Sequence, residues 1–173
     1  PLNVLYISQL ARQHGVKVLL SGAGGDDLFT GYRRHRALML ERYWAWLSVS
    51  KRHSLHNISS YLSQNGALGR RLTKAFAHAD LPPDQRLTGY FLWADPVRLR
   101  GLFAAEHRSM LATEAIDQPL HDFLLHLPEG MTPINRMLAL EQRFFLADHN
   151  LLYTDKMSMA VGVEVRVPFL DND

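Results

Sequence analysis

Ser21-Gly22-Ala23-Gly24-Gly25 forms a glycine-rich bend, and two adjacent carboxylates, Asp26 and Asp27, follow it at once. Side by side they repel each other unless a cation or a separate partner engages one of them. Glycines placed after a strand let backbone N–H groups close on an anion near a helix N-terminus, and ligands of open α/β sheets gather at the carboxyl ends of strands. One of the two carboxylates then stands where it can hold a Mg²⁺ that bridges phosphate oxygens. The competing reading is a turn with two helix-capping acids, each worth about 0.3 to 1 kcal/mol against the helix dipole. Spacing alone leaves both open. No Gly-Lys-Ser/Thr follows, so this is not a Walker loop, and the dinucleotide GxGxxG pattern is absent.

The second candidate is Lys156, in DKMSMAVGVEVRVPFLD and the only lysine after Lys74. In a phosphate site such an ammonium offsets charge developing at phosphorus. Its ordinary alternative is a solvated charge at a helix end. Glu164 and Arg166 alternate with Val163, Val165 and Val167, which points both charges to one side, where they can pair. That pair reads as structural, and Phe169 and Leu170 beyond Pro168 read as anchors. Nine histidines invite a metal reading, yet His121 and His126 are five apart and no HExxH occurs. Surface and cap histidines are the better reading. The stretch YRRHRALMLERYWAW mixes bases and aromatics as an RNA-stacking surface does, but its period more simply gives an amphipathic helix against a core.

These residues need elements to position them. Leu2, Leu5, Tyr6 and Leu10 share one helical face and Gly15 stands at a C-cap position, which predicts a helix over 3–14. VKVLL at 16–20 reads as one clear buried strand of the parallel type. From Tyr32 onward the period is helical. RRHRALMLERYWAWLSV predicts one helix with Leu38, Trp46 and Leu47 on its apolar side, and a weaker helical stretch at 59–79 is interrupted at Gly66 and Gly69. DLPPD at 80–84 breaks the pattern, with a helix starting just after it. Asp95-Pro96 and Thr132-Pro133 both have a capping residue followed by Pro at a helix start. Behind the latter, Met137, Leu140, Phe144, Ala147 and Leu151 recur at 3, 4, 3, 4 and predict the longest amphipathic helix. A single strand cannot satisfy its own backbone, so its sheet partners are expected from sequence outside this chain or from a neighbouring copy, as in a homo-oligomer.

The 173 residues are one domain's length, with a sizeable core within reach. Hydrophobic residues make up 47% and the net charge is only +2, which argues against disorder and against a purely electrostatic nucleic-acid binder. With no cysteine, disulfides and cysteine-ligated metals are excluded, and a cytoplasmic setting is expected. No apolar run reaches the roughly 20 residues of a membrane span, and no leader pattern opens the chain. The start without Met, directly in a helical pattern, suggests a piece of something longer.

SGAGGDDLFTGYRRH resembles the SGxGxDExxxGY signature of the asparagine synthetase C-terminal domain, and DKMSMAVGVEVRVPFLD resembles that family's second signature, which ends EARVPFLD. The resemblance implies an α/β fold, here a helix-dominated fragment of an adenine nucleotide alpha hydrolase-like (PP-loop ATP pyrophosphatase) domain, with residues 1–173 as the C-terminal portion of the synthase domain. It implies ATP and Mg²⁺, a small-molecule carboxylate such as aspartate or an analogue, and glutamine-derived ammonia from a separate glutaminase domain. Carried over by position, Ser21 and Gly22 contact ATP, Ala23 and Gly24 line the substrate pocket, Asp26 holds Mg²⁺ and Lys156 is catalytic. The family has Glu where this chain has Ala23, so a paralogue that amidates another carboxylate is the alternative, and a non-catalytic helical interaction module is the rival. Asp27 for Glu keeps the charge and shortens the reach. The SGGxDS PP-loop and the glutaminase cysteine are absent from these residues, so the chain alone is expected to be inactive.

Overall fold

A lone strand leaves its backbone donors and acceptors unpaired, and the chain answers this from its own C-terminal region. The structure is a computed structural model and describes residues 1–62, 66–92, 96–108 and 116–171. Its elements in chain order are α1 (Leu2–Gln13), β1 (Val18–Leu20), α2 (Gly25–Phe29), α3 (Arg33–Leu40), a 3₁₀ turn (Glu41–Tyr43), α4 (Val49–Leu62) and α5 (Ala67–Phe76). Then come α6 (Pro83–Gly89), α7 (Pro96–Gly101), α8 (Ala105–Arg108), α9 (Gln118–Leu125) and α10 (Pro133–Leu140). A π-helical segment (Glu141–Leu151), α11 (Leu152–Met159), β2 (Glu164–Arg166) and a 3₁₀ turn (Pro168–Leu170) follow. Two compact units result, one of Pro1–Tyr32 with Met137–Asp173, the other of Arg33–Arg136.

In the first unit β1 and β2 pair in parallel, with Val18 opposite Glu164, Leu19 opposite Val165 and Leu20 opposite Arg166. Two further bonds lengthen this ladder: the Glu164 N–H donates to the Lys17 carbonyl at 2.9 Å and the Ser21 N–H to the Arg166 carbonyl at 2.8 Å. The expectation that β1 would find no partner within these residues is therefore corrected. Val163-Glu164-Val165-Arg166-Val167 alternates as a half-buried strand should, and β2 takes three of these residues; β1 is likewise three residues, Val18–Leu20, rather than the expected 16–20, and Val18 and Leu20 are exposed rather than buried. Arg166 Nε donates to Glu164 Oε1 at 2.9 Å on the exposed side, the pairing the alternation predicts.

α1 forms where expected and stops at His14, with Gly15 at φ +77° behind it. Its orientation differs from the expectation: Leu2, Tyr6 and Leu10 are exposed, and Ser8 is the helix's buried residue. The long helix begins at Pro133, capped by Thr132 Oγ1, which accepts the Asn135 N–H at 3.3 Å. After Leu140 its hydrogen bonding changes from i→i+4 to i→i+5, a rare geometry that widens the helix and often marks functional sites. Burial then steps from Glu141 to Leu146, five residues on, and Ala147, which the 3, 4, 3, 4 spacing puts in the core, is exposed.

Among its described residues the second unit has helices joined by turns and no strand. The single helix predicted over 33–49 ends at Leu40, where the chain tightens into the 3₁₀ turn and leaves Trp46 76% exposed. The cause is Glu41, which is buried and accepts from Arg86 Nε at 3.0 Å and from the Tyr90 hydroxyl at 2.9 Å. Turning that carboxylate inward to two donors outweighs continuing an exposed helix. Burial and then the Glu41 charge push the Tyr90 hydroxyl's pKa well up. Gly66 precedes α5 at φ +111° as expected, whereas Gly69 sits within that helix without interrupting it. α6 starts at Pro83, inside the DLPPD break rather than just after it, because Pro is tolerated in a helix's first turn; α7 starts at Pro96, and Asp95 lies outside the described residues. His126 stands at the α9 C-cap, with Nδ1 2.6 Å from the Asp122 carbonyl, whereas His35 is fully buried, unlike the surface role expected of the histidines.

Candidate active site

The parallel pair ends at Ser21, and the chain must turn there into α2. Ser21 Oγ accepts the Ala23 N–H at 3.2 Å and so closes the first half of the turn on itself. Gly24 completes it at φ +90°, where a side chain is disfavoured, and a Cβ there would lie 2.6 Å from Cδ2 of Leu170. Phe169 stands edge-on to Phe29 with ring centroids 6.3 Å apart. The two anchors read from the sequence therefore press on the glycine bend.

The two aspartates take different environments. Asp26 is exposed, and a Cβ on Gly31 would overlap its carboxylate, so any larger residue at 31 requires the Asp26 side chain to move. Asp27 is 1% exposed, and its Oδ2 accepts the Tyr32 hydroxyl at 3.2 Å. Asn150 Nδ2 donates to the same hydroxyl at 3.3 Å, which ties the π segment to the bend. Burial first, and the Asp27 charge second, push the Tyr32 pKa up to about 12, so the phenol keeps its proton. Between Asp27 and Gly31, the β-branched Thr30 holds φ at +68°, a strained position that costs of order 1 to 3 kcal/mol.

These residues border a cavity of about 660 Å³, within the roughly 300–1,000 Å³ range of small-molecule pockets. Ser21, Gly22, Ala23, Gly24 and Asp26 all line it, so the structure gathers those five sequence candidates along one cavity. Lys156 is not among the lining residues; it is exposed on α11, two positions beyond Thr154, which does line the cavity. Among the described residues no group of three or more His, Asp or Glu side chains could form a metal cage. The donor chemistry does fit Mg²⁺ bound in another way. That ion keeps several waters and takes one or two carboxylates together with phosphate oxygens, and Asp26 presents one carboxylate to the cavity.

Ser8, Tyr32, Phe145, Asn150, Tyr153 and Thr154 also line the cavity and were not singled out from sequence. Tyr32 stood inside the quoted motif, two residues past Thr30, without an assigned role. The other signals are faint: Ser8 interrupts an apolar helix, and Asn150 precedes Leu151-Leu152. An aromatic ladder runs along the π segment, Phe145 stacked on His149 at 5.0 Å and His149 edge-on to Tyr153 at 5.1 Å. Tyr32 stands edge-on to Phe145 at 5.6 Å.

A family model described as asparagine synthase matches residues 2–173. Proteins named glutamine-hydrolysing asparagine synthetases in Mycobacterium bovis and Mycobacterium tuberculosis are 29% identical over 168 residues, which is 97% of this chain and 24% of theirs. One so named in Methanocaldococcus jannaschii is 51% identical over 41 residues, 24% of this chain and 8% of its own length. The chain thus spans about a quarter of the length of the mycobacterial relatives. No solved structure matches it significantly. No helix among the described residues is long and apolar enough to cross a membrane. With both signatures in place and nearly the whole length matched, the chain belongs to the asparagine synthase family.

Proposed function

We propose that these residues form part of the nucleotide- and carboxylate-activating site of a glutamine-dependent amide ligase of the asparagine synthetase type. The observation that carries the reading is the cavity at the carboxyl end of the parallel pair, lined together by Ser21, Gly22, Ala23, Gly24 and Asp26. A phosphate chain lying along that bend meets backbone amides and the Ser21 hydroxyl, as anions do at the carboxyl ends of parallel strands. Asp26 would hold Mg²⁺ there, and Mg²⁺ when bound neutralises charge on the departing pyrophosphate. Asp27 also lines the cavity but acts differently: buried and bonded to Tyr32, it holds the bend in place.

In the proposed reaction a carboxylate oxygen of aspartate or an analogue attacks the α-phosphorus of ATP. The bond from that phosphorus to the bridging oxygen breaks and pyrophosphate leaves. Ammonia, released from glutamine in a separate domain, then attacks the activated carbonyl carbon; the C–O bond to AMP breaks and the nitrogen loses a proton. Ala23 and Gly24 border the acceptor. Lys156 is assigned to the charge at the α-phosphorus, a role that requires its side chain to reach the cavity from α11.

Calorimetric titration of the chain with ATP, with and without Mg²⁺, tests the reading. Asp26→Asn is expected to remove most of the Mg²⁺-dependent gain in affinity, and Lys156→Ala to leave binding near wild type while abolishing pyrophosphate release in a full-length parent. Equal ATP affinity with and without Mg²⁺, unaltered by Asp26→Asn, would refute the site.

A further inference from the structure

Ser8 is fully buried, at 0% exposure, yet it lines the cavity, and its Oγ has no hydrogen-bond partner among the described residues. A serine inside a helix ordinarily bonds its hydroxyl to the carbonyl one turn back, and Ser8 does not. Buried hydroxyls left without a partner are uncommon and call for a reason. Alanine would satisfy the packing with a better helix former and no polar atom to strand. Serine has a single side-chain torsion with three staggered positions, so re-aiming this hydroxyl toward a group in the cavity takes at most one change of rotamer.

The surroundings indicate which part of a ligand would meet it. The glycine bend and Asp26 suit phosphates and a cation, whereas Tyr32, Phe145 and Tyr153 offer aromatic surface and Val4, Ile7 and Leu19 aliphatic surface. A flat, uncharged, hydrogen-bonding group fits that second environment. We propose that Ser8 is a ligand-binding residue that hydrogen-bonds the nucleoside portion of the nucleotide, through a ribose hydroxyl or a base nitrogen. This rests on the nucleotide reading above and adds to it a recognition residue from α1, outside both sequence signatures.

The test uses the 173-residue chain and two probes, adenosine and magnesium pyrophosphate, each titrated calorimetrically against wild type and Ser8→Ala. Wild type is expected to bind both. Ser8→Ala is expected to weaken adenosine about fivefold or more and to leave pyrophosphate within about twofold, since one hydrogen bond to a neutral group is lost. Its melting temperature should equal or exceed that of wild type, because the substitution removes an orphaned hydroxyl. Adenosine affinity unchanged by Ser8→Ala, no adenosine binding by wild type, or a lowered melting temperature that accompanies the weaker binding would each overturn the assignment. Failure of the phosphate reading shows separately, as pyrophosphate binding that Asp26→Asn does not alter, and the adenosine comparison still decides for or against Ser8.

Discussion

Gly24→Ala isolates the contact that shapes the bend. At φ +90° an added Cβ incurs about 1 to 2 kcal/mol for the left-handed backbone. The same Cβ would lie 2.6 Å from Cδ2 and 2.9 Å from Cγ of Leu170; carbon pairs rest at about 3.5 to 4.0 Å, so Leu170 must retreat by about 1 Å. Overpacking of that kind costs about 1 to 3 kcal/mol. The narrower unfolded ensemble of alanine returns about 0.4 to 1 kcal/mol, which leaves a net loss of about 1 to 5 kcal/mol. Leu170→Ala deletes both clashing atoms, so in that background Gly24→Ala should cost only its backbone part, about 1 kcal/mol. All tryptophans fall between residues 33 and 136, so their fluorescence does not report on the unit that holds the bend. Urea unfolding is better followed by amide exchange at Ser21 and Glu164, whose N–H groups bond across the parallel pair. Equal costs of Gly24→Ala in the two backgrounds would refute the Leu170 contact, and a loss below about 0.5 kcal/mol in the wild-type background would refute the backbone argument as well.

Two further predictions follow from buried polar contacts. Tyr32 has its pKa raised by folding from 10.0 to about 12; the neutral phenol therefore contributes stability that is fully present below pH 10 and is lost as the pH rises toward 12. Tyr32→Phe should reduce the alkaline loss of protection at the bend, and an identical pH profile for the two proteins would exclude the contribution. Arg86→Met should destabilise the second unit by about 3 to 5 kcal/mol by stranding the buried Glu41 carboxylate, whereas Glu41→Leu with Arg86→Met should recover most of it. A double variant no better than the single one in urea titrations would show that the ion pair is not what holds Glu41.

Periodicity found the places where local chemistry acts alone. α1, the Thr132 cap and the Pro96 start follow from residues within one turn of each boundary, and these stand where the sequence puts them. It failed where a distant partner decides. Glu41 draws α3 to an early end because Arg86 and Tyr90, 45 and 49 residues away, wait for it. The partner of β1 was present as an alternating valine run, but three residues between a helix and a proline form too weak a strand signal without their pairing.

The site divides along the same line. One motif, the glycine bend behind a strand, led to Ser21, Gly22, Ala23, Gly24 and Asp26, with the choice between a capped turn and a phosphate site resting on the family resemblance; Lys156, from the second motif, does not line the cavity. The opposite wall has no such signature. An i→i+5 segment is invisible to a reading based on 3.6 residues per turn, and it is this change of period that spaces Phe145 and Asn150 five apart along the cavity. It also explains how adjacent acids of the same charge can coexist in the bend. Asn150 reaches Tyr32, Tyr32 donates to Asp27, and Asp27 is thereby held buried while Asp26 remains exposed to the cavity. The doublet is thus one structural carboxylate and one exposed carboxylate, and the helix that tells them apart lies more than a hundred residues further along the chain.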